Sequence, residues 1–147
     1  MRKFLVAAAI ATALPGLAAA ELISKPSPYD VATTIDRLAK AVEAAGATVF
    51  ARVDHAGGAM KIDEDLRPTL MLMFGNPRLG TPALQAAQTA GLDLPLRALA
   101  YEDANGQVQL VYHPPSELTE FGVPADAEVL KKMSNALDNL TNAAVAE

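Results

Sequence analysis

Residues 70–74, Leu-Met-Leu-Met-Phe, form an unbroken apolar run that Gly75-Asn76-Pro77 stops within a turn. A half-exposed strand alternates, so a short continuous run predicts a strand buried on both faces or partly covered by a partner. Proline drives the residue before it out of the helical region, so Asn76-Pro77 marks a hard turn. Gly80-Thr81-Pro82 then reads as a helix start, with Thr81 as N-cap and Pro82 at the first helical position. Glycines and free N–H groups ahead of a helix can bind an anion, but neither a Walker lysine nor a dinucleotide glycine triplet is present. A tight strand-to-helix connection is therefore the preferred reading, with Gly75 costly to replace if its φ is positive.

The N-terminus reads as something apart from the fold. Arg2 and Lys3 precede an apolar stretch, Pro15-Gly16 breaks it, and Ala18-Ala19-Ala20 supplies small residues before Glu21. That order of regions is the pattern of a secretory leader, and residues 4–20 are short for a membrane span. The expected division is a cleaved signal peptide at 1–20 and one α+β domain at 21–147, periplasmic or secreted. No stable membrane insertion is expected after cleavage. The sequence has no cysteine, which excludes disulfides and a lipoprotein anchor. Loss of Arg2 and Lys3 takes the formal charge from −5 to −7. Without a basic run such a chain has no means of neutralising phosphates, so no nucleic acid is expected as partner.

The remaining elements follow from periodicity. Residues 21–25 form a short strand, and Asp30 caps a helix whose Val31, Ile35, Leu38 and Val42 share a face up to Gly46. Residues 47–55 read as a strand with Val49, Ala51, Val53 and His55 on one side and Thr48, Phe50, Arg52 and Asp54 on the other. Residues 56–67 are a long connection with room for one helical turn. A brief helix runs from Thr81 to Gly91. Strands at 96–102 and 107–113 flank Asp103-Ala104-Asn105-Gly106, a hairpin signal whose register stays open between a two-residue turn and a Gly106 bulge. A helix at 125–145 has Asp126 as its cap and buries Val129, Leu130, Met133, Leu137, Leu140 and Thr141. Two helical stripes and about five strands need each other for burial, which predicts helices on an antiparallel sheet.

Several of these pieces together resemble the domain of unknown function 302 family. They are Val53-Asp54-His55-Ala56, Leu66-Arg67-Pro68-Thr69, Phe74-Gly75-Asn76-Pro77 with Gly80-Thr81-Pro82 and Gln85, Leu92-Asp93-Leu94-Pro95-Leu96, and Glu102-Asp103 with Gly106. The chain departs from the pattern at His113, where the family more often has Asn. The resemblance implies a single α+β domain in β-α-β4-α order, a curved antiparallel sheet with helices on one face, TATA-binding-protein-like. It implies neither a reaction nor DNA binding, because fold does not fix function.

The chemistry-bearing residues are few. His55 and His113 are the two histidines, and without cysteine they are too few for a dedicated zinc site. Glu102 and His113 lie too far apart along the hairpin to share a proton, at about 13 Å. No serine sits in a nucleophile elbow, and Asp63-Glu64-Asp65 lacks calcium-loop spacing. The leading reading is a cofactor-free module binding a small molecule or a protein partner, with His55, Asn76 and Thr81 as candidate ligand-binding residues. The alternatives are an enzyme using His55 with a nearby carboxylate, and copper handling by Met60, Met71, Met73 and Met133. A homo-oligomer stays open. If the leader reading holds, the intact mass of exported protein corresponds to a chain beginning at Glu21; retention of residues 1–20 in a membrane fraction overturns it.

Overall fold

The computed structural model describes residues 22–147, so the expected leader at 1–20 lies outside the described residues. The strands are β1 (Ile23–Ser27), β2 (Thr48–Asp54), β3 (Thr69–Gly75), β4 (Leu96–Glu102) and β5 (Val108–Tyr112). The helices are α1 (Val31–Ala44), α2 (His55–Met60), α3 (Pro77–Ala86) and α4 (Glu128–Val145), with 3₁₀ segments at Gln88–Leu92 and Pro115–Phe121. All strand pairs are antiparallel, in the order β1-β5-β4-β3-β2. Apart from the short α2 and α3, the order is the expected β-α-β4-α.

α1 and α4 cover one face of the sheet. Ile35, Leu38 and Val42 of α1 and Leu137 and Ala144 of α4 pack with Leu72, Phe74, Ala98, Ala100 and Leu110 in one core. A large apolar side chain taken from water into such a core contributes about 1.5–3 kcal/mol. The register assigns faces: Leu72 pairs with Ala98 on the helix side, while Met71 pairs with Leu99 and Met73 with Arg97 on the other. β3 is therefore buried on one face only. Leu72 and Phe74 are 0% and 1% exposed, whereas Met71 and Met73 are half-buried. Their apolar character serves cross-strand packing on an uncovered face rather than a second layer.

β2 departs from simple alternation. Val49 pairs with Phe74 and Ala51 with Met73, so Phe50 is an extra residue in a bulge. One inserted residue reverses the phase of the strand. Val49 thus faces the helices while Ala51 and Val53 face away, and Arg52 turns inward to pair with Asp36 of α1 at 2.5 Å. His55 does not extend β2. Asp54 accepts from the Gly57 N–H at 2.8 Å and starts α2 at His55.

Polar contacts close the layers. Lys25, reaching inward from β1, donates to the Asp138 carbonyl and carboxylate and to the Asn142 amide oxygen, at 3.1, 2.7 and 2.6 Å. Arg37 donates to the carbonyls of Ala144 and Ala146 at the end of α4 and lies 4.3 Å over the Tyr29 ring. These bonds satisfy carbonyls a helix terminus leaves open. Asp30 caps α1 through the Thr33 N–H, as the sequence predicts. Asp126 does not cap α4: the N-cap position falls one residue later, at Ala127.

The hairpin register is settled by Gly106, whose φ is +78°, with Glu102 opposite Val108. The Gly106 N–H donates to the Asp103 carbonyl and the Asp103 N–H to the Gln107 carbonyl, which is a turn followed by a glycine bulge. The Asp103 carboxylate accepts from the Asn105 and Gln107 N–H groups at 2.8 and 3.0 Å. Bonding to Gln107 first, then to Asn105, holds its pKa below the ordinary value; Thr33 does the same for Asp30 and Lys25 for Asp138. A carboxylate with a lowered folded-state pKa stabilises the fold above its unfolded pKa of about 3.9. That contribution is lost as pH falls through the folded value. The melting temperature is therefore expected to fall on acidification below about pH 4, and Asp103→Asn to give a lower plateau with a shallower acid limb, measured by circular dichroism.

Candidate functional site

The end of β3 leads into a large concave feature. Asn76 has extended backbone, and its side-chain oxygen accepts from the Arg78 N–H at 2.9 Å. Asn76 is thus the N-cap and Pro77 the first residue of α3. The expected start at Thr81 is one turn too late, because the Asn76 cap closes the helix before Thr81 is reached. Thr81 and Pro82 lie inside α3, which ends at Ala86 rather than Gly91. The segment after it runs through the 3₁₀ turn at Gln88–Leu92 and a cis Leu94–Pro95 bond into β4.

Between this segment, α3 and the end of the sheet lies a cleft of about 560 Å³. Phe50, Met73 and Gly75 line it from the sheet, one side of α3 from Asn76 to Leu84 forms a second wall, and Leu94 to Leu96 and Met133 of α4 complete it. Its volume is typical of small-molecule sites, which are apolar with a few polar groups. The bulge in β2 accounts for one wall. It leaves Phe50 58% exposed and beside Gly75, where a side-chain carbon would sit 3.5 Å from the Phe50 ring and from Pro95 Cβ. Gly75 has no positive φ, so the expected conformational cost of a side chain there does not arise.

Gly80 forms another part of the wall. It sits inside α3, where glycine is less favourable than alanine by about 0.5–1 kcal/mol, and outside its own helical turn no atom lies within 4 Å of where its Cβ would be. Neither φ nor packing demands glycine at this position. What its missing side chain leaves is space beside the cleft.

Asn76 and Thr81 thus come together on the cleft, and His55 does not join them. β2 and β3 are antiparallel neighbours, with Thr48 opposite Gly75 and Asp54 opposite Leu70. The five steps between those pairs on β3 are roughly 17 Å at strand rise, so His55 stands at the far end. Its neighbour Asp54 is committed to the α2 cap. The histidine with a carboxylate in hydrogen-bond range is His113, whose Nδ1 is 2.6 Å from Glu117 Oε2. This pair escapes a sequence reading that weighs His113 only against Glu102 across the hairpin. The available signal was the four-residue spacing across Pro114-Pro115. With the Arg97–Asp93 pair, it borders a cavity of about 30 Å³, room for water rather than substrate.

The methionines are dispersed in role. Met60 is 70% exposed at the end of α2, while Met73 and Met133 are apolar wall of the cleft. Among the described residues no group of three or more His, Asp or Glu is placed to hold a metal ion, and none of their helices is long and apolar enough to cross a membrane.

Comparison with known proteins places this geometry among relatives. Residues 23–140 match the family model described as "Domain of unknown function DUF302". The chain is 39% identical over 129 residues to "Fluoride-specific ion channel FluC 1" of Brucella suis biovar 1, covering 86% of this chain and 50% of that protein. Proteins of the same type from Brucella abortus biovar 1 and Brucella melitensis biotype 1 match at the same identity, with 47% of their length covered. The chain spans about half the length of these curated relatives. The crystal structure of an uncharacterized conserved DUF302 protein from Bacillus stearothermophilus superposes with a TM-score of 0.67 at 18% identity, covering 84% of this chain and 94% of that one. That likeness is one of fold.

Gly80→Ala is expected to stabilise the protein by about 0.5–1 kcal/mol in urea unfolding. A loss of stability would mean that the space beside Gly80 is already filled.

Proposed function

The chain belongs to the DUF302 family, and from that premise we propose that it is a non-catalytic binding module for a small molecule, working outside the cytoplasm. The observation that carries the binding role is the apolar cleft of about 560 Å³ beside Gly80. A cleft of this size exposes apolar side chains to water, and an occupant that removes them from it gains the corresponding free energy. Asn76 and Thr81 supply the polar groups at its wall. Export is supported by the basic, apolar and small-residue order of the first twenty positions.

The channel activity in the relatives' names belongs to proteins about twice the matched length. The cleft described here has no charged side chain in its lining, which supports a neutral occupant rather than a small anion. The His113–Glu117 pair favours no second reading, since its cavity admits water alone.

The test is titration with N-phenyl-1-naphthylamine, an uncharged dye that fluoresces in apolar surroundings. The wild-type protein is expected to give a saturable signal of one site, and Gly80→Trp to weaken it at least tenfold with unchanged far-ultraviolet circular dichroism. Outside its own helical turn nothing lies within 4 Å of a Cβ at Gly80, and the indole adds its volume at the cleft wall. Equal signals from the two proteins, or none from either, would overturn the proposal.

A further inference from the structure

Resting on the binding role just proposed, we infer that the cleft selects uncharged aliphatic molecules carrying a hydrogen-bond acceptor such as a carbonyl oxygen. None of its lining side chains ionises in the physiological range. A charged group taken into such a lining loses hydration with nothing to compensate it. Asp93 and Arg97, which flank Leu94 to Leu96, are bonded to each other and border the smaller cavity instead.

The start of α3 is also closed to anions. A helix N-terminus attracts them through unsatisfied N–H groups. Here Pro77 has no N–H, the Arg78 N–H is taken by the Asn76 side-chain oxygen, and the Leu79 and Gly80 N–H groups are taken by the Asn76 carbonyl. The cap also decides what Asn76 has left. One lone pair of its oxygen is taken by the cap, while its amide nitrogen can only donate. The nearest protein acceptor, the Gly46 carbonyl, is 3.5 Å away, at the outer limit of a hydrogen bond. The Thr81 hydroxyl, which can donate as well as accept, belongs to the same wall. An amide N–H and a hydroxyl that can donate, on an apolar wall without charge, suit an uncharged acceptor on an apolar body.

Competition against the bound dye tests the class. 2-Undecanone is expected to displace it at concentrations at least tenfold below those needed for decanoate or decylammonium. Asn76→Asp keeps the helix cap, since aspartate caps as well as asparagine, but removes the donor and adds a charge. It should weaken displacement by the ketone about fivefold, in the range of one hydrogen bond, read against that variant's own dye affinity. Thr81→Val, which keeps the side-chain shape and removes the hydroxyl, provides a second variant should Asn76→Asp melt early. Decanoate or decylammonium competing as well as the ketone would overturn the class and leave the binding role standing. Unchanged ketone affinity in both variants would overturn recognition by the donors. Failure of the wild-type protein to bind the dye would remove the binding role itself, and this inference with it.

Discussion

Two helices share one face of a five-stranded sheet, and the middle strand lets them do so by presenting only alanine at its centre. Inward from β4 come Ala98 and Ala100, both essentially without exposure. The helices can then sink onto the sheet while Leu72, Phe74 and Leu110 rise on either side of the alanine row. Close packing of this kind admits few voids, so each layer fixes the other. Polar groups are matched to it. Ser27 and Thr34 bond at 2.7 Å under the start of α1, and Lys25 and Arg37 spend their donors on α4. Among the described residues no buried side-chain polar atom is left without a partner.

That arrangement leaves the end of the sheet to a second, smaller core. Ala83, Ala90, Leu118, Val123, Leu130 and Met133 gather there from α3, the two 3₁₀ segments, the loop after the second of them and α4. Two cores with different wall elements meet along the β3–α3 turn, and the cleft lies at that seam. Glycine at 75 and 80, a bulge that turns Phe50 outward and short side chains on α3 keep it from closing. The site is thus a product of packing that is locally incomplete, on a scaffold that is otherwise filled.

Much of the fold was legible because it depends on short-range rules. Asp30 as cap, Gly46 with positive φ after α1, the hairpin at Asp103–Gly106 and the buried stripe of α4 all follow from residues within a few positions of one another. The misses share a cause. Asn76, Thr81 and Asp126 are all competent caps, and which of them starts a helix depends on where the preceding strand releases the chain. The bulge at Phe50 leaves no mark in β2 itself, because the extra residue is defined only by its partner strand. The run from Leu70 to Phe74 reads as doubly buried because composition cannot distinguish a second layer from cross-strand packing on an open face.

The sequence by itself determined the class of the fold and the family pattern, since local propensity and turn chemistry decide elements and their ends. Only the tertiary structure decided which candidate residues meet. Asn76 and Thr81 share a wall because one short helix carries both. His55 is held at the other end of the β2–β3 pair because antiparallel neighbours place the end of one strand beside the start of the next. His113 finds Glu117 through a turn that follows its strand, not across the hairpin. Distances between elements depend on register and on which strands are neighbours, and neither is fixed by the residues of a single segment.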